Sequence, residues 1–211
     1  MKTKNKNILY KKRLSILESS IKIISDNGWN QNTFKLISKN KFFSINEINI
    51  LFSEGYIGLL KFSLDQINIQ LQNKFNSNLL RLPLHKRIRK ILISKFELMN
   101  QNKEFYRQTF LHLLLPNNSK ILFKQLYKSV DLMWYIAGDY STDFNFYTKR
   151  IILSGIYSRL SLFFFNNKNF KKMEEILDSS LNAVSKIPKY KHRINTFKNS
   201  IPSLFTFIKS F

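Results

Sequence analysis

One stretch near the middle of the chain, residues 133–150 with the sequence MWYIAGDYSTDFNFYTKR, concentrates residue types that are sparse elsewhere. It holds one Trp, one Gly, two Asp and three Tyr, between two apolar helical patterns. Asp139 and Asp143 are the nearest approach to a carboxylate pair for general acid–base chemistry. However, Asp139 follows the end of one predicted helix and Asp143 falls in the first turn of the next, where acids usually serve as caps. Capping is therefore favoured over catalysis.

The rest of the sequence contains no other catalytic or metal-binding pattern. The three His, at 85, 112 and 192, are far apart, and none has the H-x-x-x-H or E-x-x-H spacing of helical zinc and di-iron sites. The absence of Cys excludes disulfides and thiolate metal sites. There is no Gly-rich phosphate loop and no G-x-S-x-G elbow. The residues therefore offer no catalytic site, and we expect no metal and no cofactor.

The charge of the chain is strongly positive. The net charge of +22 in 211 residues draws the protein toward nucleic acid or an anionic membrane surface, although compositional drift accounts for it equally well. The start of the chain has no secretory signal and is a poor transit peptide, and no run approaches 18 apolar residues. These features favour a bacterial protein at the cytoplasmic face of the inner membrane; the alternative is the matrix side of the mitochondrial inner membrane.

Helical spacing dominates the first part of the chain, in which Gly and Pro are few. The first helix should stop at Gly28, in the left-handed conformation. A short second helix should be capped by Asn30 or Asn32, and Ser44 with Glu47 predicts a capping box for the third. Three short helices leading into a longer one are the plan of a helix-turn-helix head on an α-helical body.

The third helix of that head would be the recognition helix of a DNA-binding protein. Its segment, residues 44–52 with the sequence SINEINILF, has no Lys or Arg, and Glu47 would be repelled by phosphate. Lys39 and Lys41 flank it and are the available backbone contacts. The head has the outline of a DNA reader without its chemistry, so we expect no nucleic-acid partner.

The later helices are bounded by recognisable breakers. Pro83 should start one helix, Pro116 should end another, and a third should end near Gly138. Ser141 or Thr142 should cap the helix that follows. The predicted organisation is a head over residues 1–60, a body over 61–187, and a link with a tail over 188–211.

The tail predicts an amphipathic helix over residues 201–211. Pro202 suits the first turn of a helix capped by Ser200. Apolar residues and a basic polar edge lie on separate faces, which suits either a membrane interface or docking on the body. The residues expected at the membrane are Ile201, Leu204, Phe205, Ile208, Lys209 and Phe211.

Residues 131–150 closely resemble the signature of the accessory lipid-binding family of coenzyme Q (ubiquinone) biosynthesis, the ninth member of the Coq series. The family pattern is D-x-x-W-Y/H-x-A-G-D-x-S-T-D-F-N-W-Y-T-K/R-R, and Phe146 replaces its second Trp. The segments ILESSIKIISDNGW, ILFSEGYIGLLKF and LPLHKRIRKILISKFELM are similar to further family segments, with Ser53 in place of a Pro. The resemblance covers roughly residues 14–186.

This resemblance implies an all-α fold like that of TetR-type regulators, with a degenerate helix-turn-helix head and a lipid pocket in the body. The protein would not be an enzyme, and would form a homodimer. It would bind an isoprenoid lipid or quinone intermediate and present it to the di-iron demethoxyubiquinone hydroxylase at the membrane. The hydroxylase would dock at Asp131, Trp134 and Tyr135.

Within the family signature, a small polar residue at Trp134 is expected to weaken docking with little loss of fold, unless Trp134 belongs to the core. The residues expected to fix the corner are Gly138, Asp139, Ser141, Thr142, Asp143, Asn145, Tyr147 and Arg150. The residues expected to line the lipid pocket, or equally to belong to the core, are Phe110, Leu114, Phe123, Ile152, Ile156, Leu160 and Phe163.

Two other functions remain open from the sequence. A TetR-type transcription regulator would share the fold and use the positive charge, but its recognition helix would be poor. A general lipid carrier or peripheral membrane protein would share the apolar body without a link to quinones. Bound lipid or specific duplex binding would separate these alternatives.

Overall fold

The computed structural model describes residues 2–39, 42–75, 77–139, 144–167 and 169–185, and within these ranges it contains α-helices and no strand. The all-α class predicted from the sequence is therefore confirmed. Two short 3₁₀ turns, Ser77–Arg81 and Pro116–Asn118, join some of the helices. The helices are α1 (Lys2–Asn27), α2 (Thr33–Ser38), α3 (Ile45–Leu51), α4 (Tyr56–Asn73), α5 (Leu84–Asn100), α6 (Lys103–Leu113), α7 (Ser119–Ile136), α8 (Phe144–Asn166) and α9 (Phe170–Ser185).

The helix ends of the head follow local chemistry. Gly28 has φ +67°, and its N–H donates to the carbonyl four residues earlier, as expected of a left-handed cap. Asn32 is the N-cap residue of α2, although its side chain makes no capping bond. The Ser44 Oγ accepts the Glu47 N–H at 3.2 Å, and the Glu47 carboxylate accepts from Lys12 Nζ at 2.6 Å. The first bond confirms Ser44 as the cap of α3.

The chain forms two compact units. The first comprises Met1–Asn73 and Glu97–Ser119, and the second comprises Lys74–Phe96 and Lys120–Phe211. The first unit holds α1 to α4 and α6, and the second holds α8, α9 and nearly all of α7. The functional division into head, body and tail stays a prediction.

Aromatic side chains fill the core of the first unit. The Trp29 indole N–H donates to Thr109 Oγ1 at 3.0 Å, which ties the chain after α1 to α6. Phe52 lies 5.7 Å from Phe62, and the Arg13 guanidinium lies 4.8 and 4.4 Å from these two ring centroids. Cation–π contact of this kind lets the Arg13 charge sit beside the apolar core.

The second unit combines an apolar core with ion pairs at its edge. Phe96 is fully buried, and its ring lies 5.0 Å from that of Phe164. Arg89 on α5 bonds to Asp178 at 2.6 Å and to Glu174 at 2.9 Å, both on α9. These bonds fix α5 against α9 where the apolar contact ends.

Lys95 is an unusual component of that core. Its side chain is 1% accessible, although it occupies the apolar stripe of α5. Its Nζ donates to Ser129 Oγ at 3.1 Å and lies 5.6 Å from the Tyr157 ring centroid. Burial lowers the pKa of Lys95 from the usual 10.5 to about 7, because the charged form loses its hydration.

The lowered pKa of Lys95 predicts a pH-dependent stability. Between pH 7 and 10.5 the unfolded chain binds more protons than the folded chain at this residue, so the free energy of unfolding should rise with pH. The slope from one group is at most about 1.4 kcal/mol per pH unit. Urea unfolding followed by circular dichroism across this range should show the rise, and Lys95→Met should remove it. Lys90→Met, at an exposed site on the same helix, should retain it. An unchanged slope in Lys95→Met would contradict this account.

Candidate functional site

The family signature lies where α7 ends and the chain turns toward α8. Gly138 has φ +76°, and its N–H donates to the Tyr135 carbonyl at 3.0 Å. The Asp139 N–H donates to the Trp134 carbonyl, also at 3.0 Å. These two bonds form a Schellman motif, in which a left-handed residue satisfies the last carbonyls of a helix. The predicted end of this helix at Gly138 is therefore correct, and the left-handed φ explains why a Gly stands there.

A side chain from another part of the second unit holds this helix end. The Arg87 guanidinium donates to the Ala137 carbonyl at 2.8 Å. It also donates to the carbonyls of Leu82 at 2.6 Å and Leu80 at 2.7 Å. Sequence reasoning assigned Arg87 no role. The one feature of the sequence that pointed to a role for Arg87 is its place in LPLHKRIRKILISKFELM, a segment that resembles the family.

Charged side chains pack together behind the corner. Arg150 is 5% accessible, and its Nε donates to Asp131 Oδ1 at 2.7 Å. Its Nη1 lies 3.8 Å from Asp139 Oδ2, and its guanidinium stacks 3.3 Å from the Phe146 ring centroid. Lys149 Nζ bonds to Asp139 Oδ1 at 2.7 Å, and the Asp139 side chain is 7% accessible. Asp139 is thus a buried carboxylate held by two cations, which is a structural role.

Trp134 and Tyr135 differ sharply in exposure. Trp134 is 8% accessible, whereas Tyr135 is 56% accessible. The Trp134 ring lies 5.7 Å from Lys149 Nζ, and its buried Nε1 has no hydrogen-bond partner. Trp134 therefore belongs to the core of the corner, which is the alternative that the sequence left open, and a small polar residue there is expected to cost stability. The side chain available to a partner is that of Tyr135.

Asp131 and Tyr127 extend the surface around Tyr135. The Asp131 side chain is 45% accessible while bonding to Arg150. Tyr127, one turn earlier on α7, is 38% accessible, and burial together with the charge of Asp131 raises its pKa. We call Tyr127, Asp131 and Tyr135 the α7 surface. Sequence reasoning found its last two members but not Tyr127.

The remaining predicted corner residues are described only in part. Ser141, Thr142 and Asp143 lie outside the described residues, as does the side chain of Asn145. Tyr147 is half-buried on α8, where its ring packs edge-on 5.0 Å from Phe146. The capping of α8 stays a prediction.

The predicted lipid-lining residues are divided between the two units. Phe110 and Leu114 belong to the first unit, and the other five belong to the second. Leu160 and Ile156 are buried, Ile152 and Phe163 are half-buried, and Phe123 is 54% accessible. A pocket formed by this set stays a prediction.

Neither a membrane-spanning helix nor a metal site is found within the described ranges. The predicted membrane residues, Ile201, Leu204, Phe205, Ile208, Lys209 and Phe211, lie outside them. No described helix combines the length and apolar character needed to cross a bilayer. The described residues likewise bring no three His, Cys, Asp or Glu side chains together as a metal site.

The COQ9 family model matches residues 120–188, which include α7, the corner, α8 and α9. We call this matched segment the COQ9 domain. The resemblance found in the sequence is confirmed. It rests on the same segment that carries the Schellman motif and the Arg150 ion pairs.

Alignments with individual relatives extend the similarity beyond residues 120–188. The rat protein named "Ubiquinone biosynthesis protein COQ9, mitochondrial" is 27% identical over 177 residues, 79% of this chain and 56% of the rat protein. The human protein of the same name is 48% identical over 50 residues, 24% of this chain and 16% of its own length. COQ9-A of Xenopus laevis is 28% identical over 155 residues, 70% of this chain and 49% of the relative. The chain spans about half the length of the rat and Xenopus relatives.

The fold has a counterpart among solved structures. A TetR transcriptional regulator from Nitrosomonas europaea aligns with a TM-score of 0.66 at 14% identity, covering 83% of this chain and 98% of the regulator. The predicted TetR-like fold is confirmed. At this identity the likeness shows the fold and nothing about function.

The corner of the COQ9 domain predicts a strong dependence on Gly138. A Cβ at Gly138 would meet Leu80 Cδ2 at 2.7 Å, in a left-handed backbone conformation that disfavours side chains. Gly138→Ala should therefore lower the free energy of unfolding by about 1–3 kcal/mol. Gly155→Ala is the control, since nothing lies within 4 Å of its Cβ and Ala favours a helix interior by about 0.5–1 kcal/mol. Chemical denaturation should show opposite shifts, and equal shifts would contradict the role of the left-handed corner.

Substitutions of the two adjacent aromatic residues, Trp134 and Tyr135, are expected to differ strongly in their cost to stability. Trp134→Ser should cost about 3–5 kcal/mol, because it empties a buried site. Tyr135→Ser should change the free energy of unfolding by no more than about 0.5 kcal/mol, because the side chain is mostly in water. Thermal unfolding of the two variants is the measurement. If both unfold like the unsubstituted protein, Trp134 is not part of the core.

Proposed function

We propose that this protein is a non-catalytic accessory protein of ubiquinone biosynthesis. It binds polyprenyl quinone intermediates and presents them to the di-iron demethoxyubiquinone hydroxylase. The observation that carries this proposal is the COQ9 domain over residues 120–188, together with relatives whose names place them in ubiquinone biosynthesis.

The geometry of the α7 surface supports a docking role. Tyr135 is exposed and Asp131 is half-buried on the last turns of α7; Gly138 and Arg87 hold the helix end, and Arg150 holds the Asp131 side chain. A rigid surface loses little conformational freedom on binding, which favours affinity. Tyr is also among the residues that most often dominate interface energies. In this proposal Trp134 supports the surface from beneath and does not itself touch the hydroxylase.

The names of the relatives bear on location. Rat and Xenopus COQ9 are both named mitochondrial, which supports a mitochondrial location over the bacterial alternative. Contact with the membrane through residues 201–211, and a homodimer, belong to the same proposal. The TetR likeness adds no DNA-binding role, since it is a likeness of fold at 14% identity.

The ligand is tested by native mass spectrometry of the purified chain, followed by organic extraction and identification of the lipid. We expect a polyprenyl quinone or its demethoxy precursor in an amount equimolar with the chain. Recovery of phospholipid alone would favour a general lipid carrier. Recovery of no lipid would contradict the ligand part of the proposal and leave the docking part to the next test.

The docking surface is tested by capture of the purified hydroxylase on immobilised protein. Tyr135→Ser should weaken binding about tenfold or more, since a central aromatic at an interface often contributes over 1 kcal/mol. Leu84→Ser is the control, because Leu84 is also exposed in the second unit, at 39% accessibility, and has no assigned role. Equal binding by the two variants would remove Tyr135 from the interface. Circular dichroism of both variants checks that the fold is retained.

A further inference from the structure

Two large apolar side chains in the head are almost fully exposed to solvent. Phe42, just before α3, is 82% accessible, and Ile50, near the end of α3, is 81% accessible. They are the two most exposed of the large apolar residues that the structure describes. Large apolar groups left this exposed are candidates for contact with a partner surface.

The exposed side of α3 carries no charge. Ile45, Asn46, Asn49 and Ile50 are exposed, while Ile48 is buried. On the remaining side, the Glu47 carboxylate is bonded to Lys12 Nζ at 2.6 Å, so this acid has a cationic partner. The outer face of α3 is therefore a mixture of aliphatic and neutral amide groups. A helix that reads DNA usually carries Lys or Arg for phosphate contacts beside its base contacts, and this face carries no cation.

Cations lie on the neighbouring helix instead. A hollow of about 420 Å³ is lined by Asn27, Asn30, Asn32, Lys35, Leu36 and Lys39, with no acidic residue among them. Lys35 and Lys39 are exposed and one helical turn apart, so both ammonium groups belong to one side of α2. α2 packs against α3 within the first unit, so the two lysines and the exposed apolar residues belong to neighbouring elements of that unit.

The hollow is built from fixed polar groups. Asn30 Oδ1 accepts the Asn32 N–H at 2.8 Å, and Asn30 Nδ2 donates to the Asn27 carbonyl at 3.3 Å. These bonds hold the loop between α1 and α2 in one shape. The lining therefore offers hydrogen-bonded amide groups beside two exposed lysines.

We propose that this part of the head, comprising Lys35, Lys39, Phe42, Ile45 and Ile50, contacts an anionic lipid bilayer. The two lysines lie against headgroup phosphates, and Phe42 and Ile50 enter the interfacial layer. Basic residues beside exposed aromatic and aliphatic ones are the combination that binds membrane interfaces. The net charge of +22 draws the chain to such a surface from solution. This contact is separate from the tail and does not depend on the identity of any ligand in the body.

A duplex is the weaker alternative for the same cations. Asn46 and Asn49 belong to a residue type that pairs with adenine edges. However, a duplex would bury Phe42 and Ile50 against a charged backbone, where apolar side chains gain little. A bilayer gives both the lysines and the apolar residues a matching environment.

The test uses single-cysteine labelling of the full chain, which is straightforward because the natural sequence has no Cys. Phe42→Cys and Ile50→Cys are each labelled with an NBD fluorophore, whose emission shifts to the blue on entering an apolar medium. Ile69→Cys is the control, since Ile69 is exposed on α4 of the same unit at 41% accessibility. Each protein is titrated with vesicles of phosphatidylcholine alone, with vesicles that also contain phosphatidylglycerol, and with a mixed-sequence DNA duplex.

We expect a blue shift at positions 42 and 50 with the phosphatidylglycerol vesicles, and no shift at position 69 or with neutral vesicles. Adding Lys35→Gln and Lys39→Gln should weaken the response about tenfold, whereas Lys171→Gln with Lys172→Gln on α9 should weaken it less. Vesicle binding without any shift at 42 and 50 would overturn the proposal, since another part of the chain would then hold the membrane. A shift with the duplex but not with vesicles would also overturn it, in favour of nucleic acid.

Discussion

Arg150 is the residue on which the arrangement of the COQ9 domain depends. A guanidinium that is almost out of water must be paired, because a buried charge without a partner costs several kcal/mol. Asp131 on α7 and Asp139 after the corner provide that pairing from opposite sides of the turn. The two acids lie eight residues apart in sequence, about 12 Å along a continuous helix, and α7 ends between them at the left-handed Gly138. The helix end and the ion pairs of Arg150 thus act on the same few residues.

The same logic extends through the second unit. Arg87 binds the carbonyl of Ala137 at the helix end, and Arg89, two residues later on α5, binds Glu174 and Asp178 on α9. Side chains two residues apart on a helix point in different directions, so α5 reaches the corner with one arginine and α9 with the other. Much of the polar chemistry of this unit thus serves to fix helices. The exposed part of α7 is therefore a surface whose backbone is fixed by contacts within this unit.

The sequence predicts those features whose causes are local. Gly28, Ser44 and Gly138 act on backbone groups within a few residues, and their roles follow from residue type and position. Burial on α7 is different. Trp134 and Tyr135 are adjacent and only about 100° apart around the helix, with apolar residues on both sides of them. Periodicity therefore gives no basis for choosing which ring is buried, and packing in the second unit decides it.

Lys95 and Arg87 show two further limits of sequence reasoning. Lys95 occupies a core position of the α5 stripe, but a lysine is rarely buried completely, so its residue type argues against what its position indicates. Arg87 bonds to a carbonyl 50 residues away, and no local pattern carries that information. The family resemblance included the segment without explaining it. Only the fold brings Arg87 and Ala137 together.

The chain can share the TetR fold although the exposed residues of α3 include no Lys or Arg, and the reason is physical. A helical fold of this kind is maintained by apolar spacing, caps and a few buried pairs, all of which tolerate wide changes in surface residues. DNA recognition depends on a handful of cations and polar groups on one exposed face, and their loss leaves the core untouched. In this chain α3 has its Ser44 cap, and its exposed face carries Ile45, Asn46, Asn49 and Ile50 without a cation. Such a face is compatible with the fold because the cap and the buried Ile48, and not the outer side chains, maintain the helix.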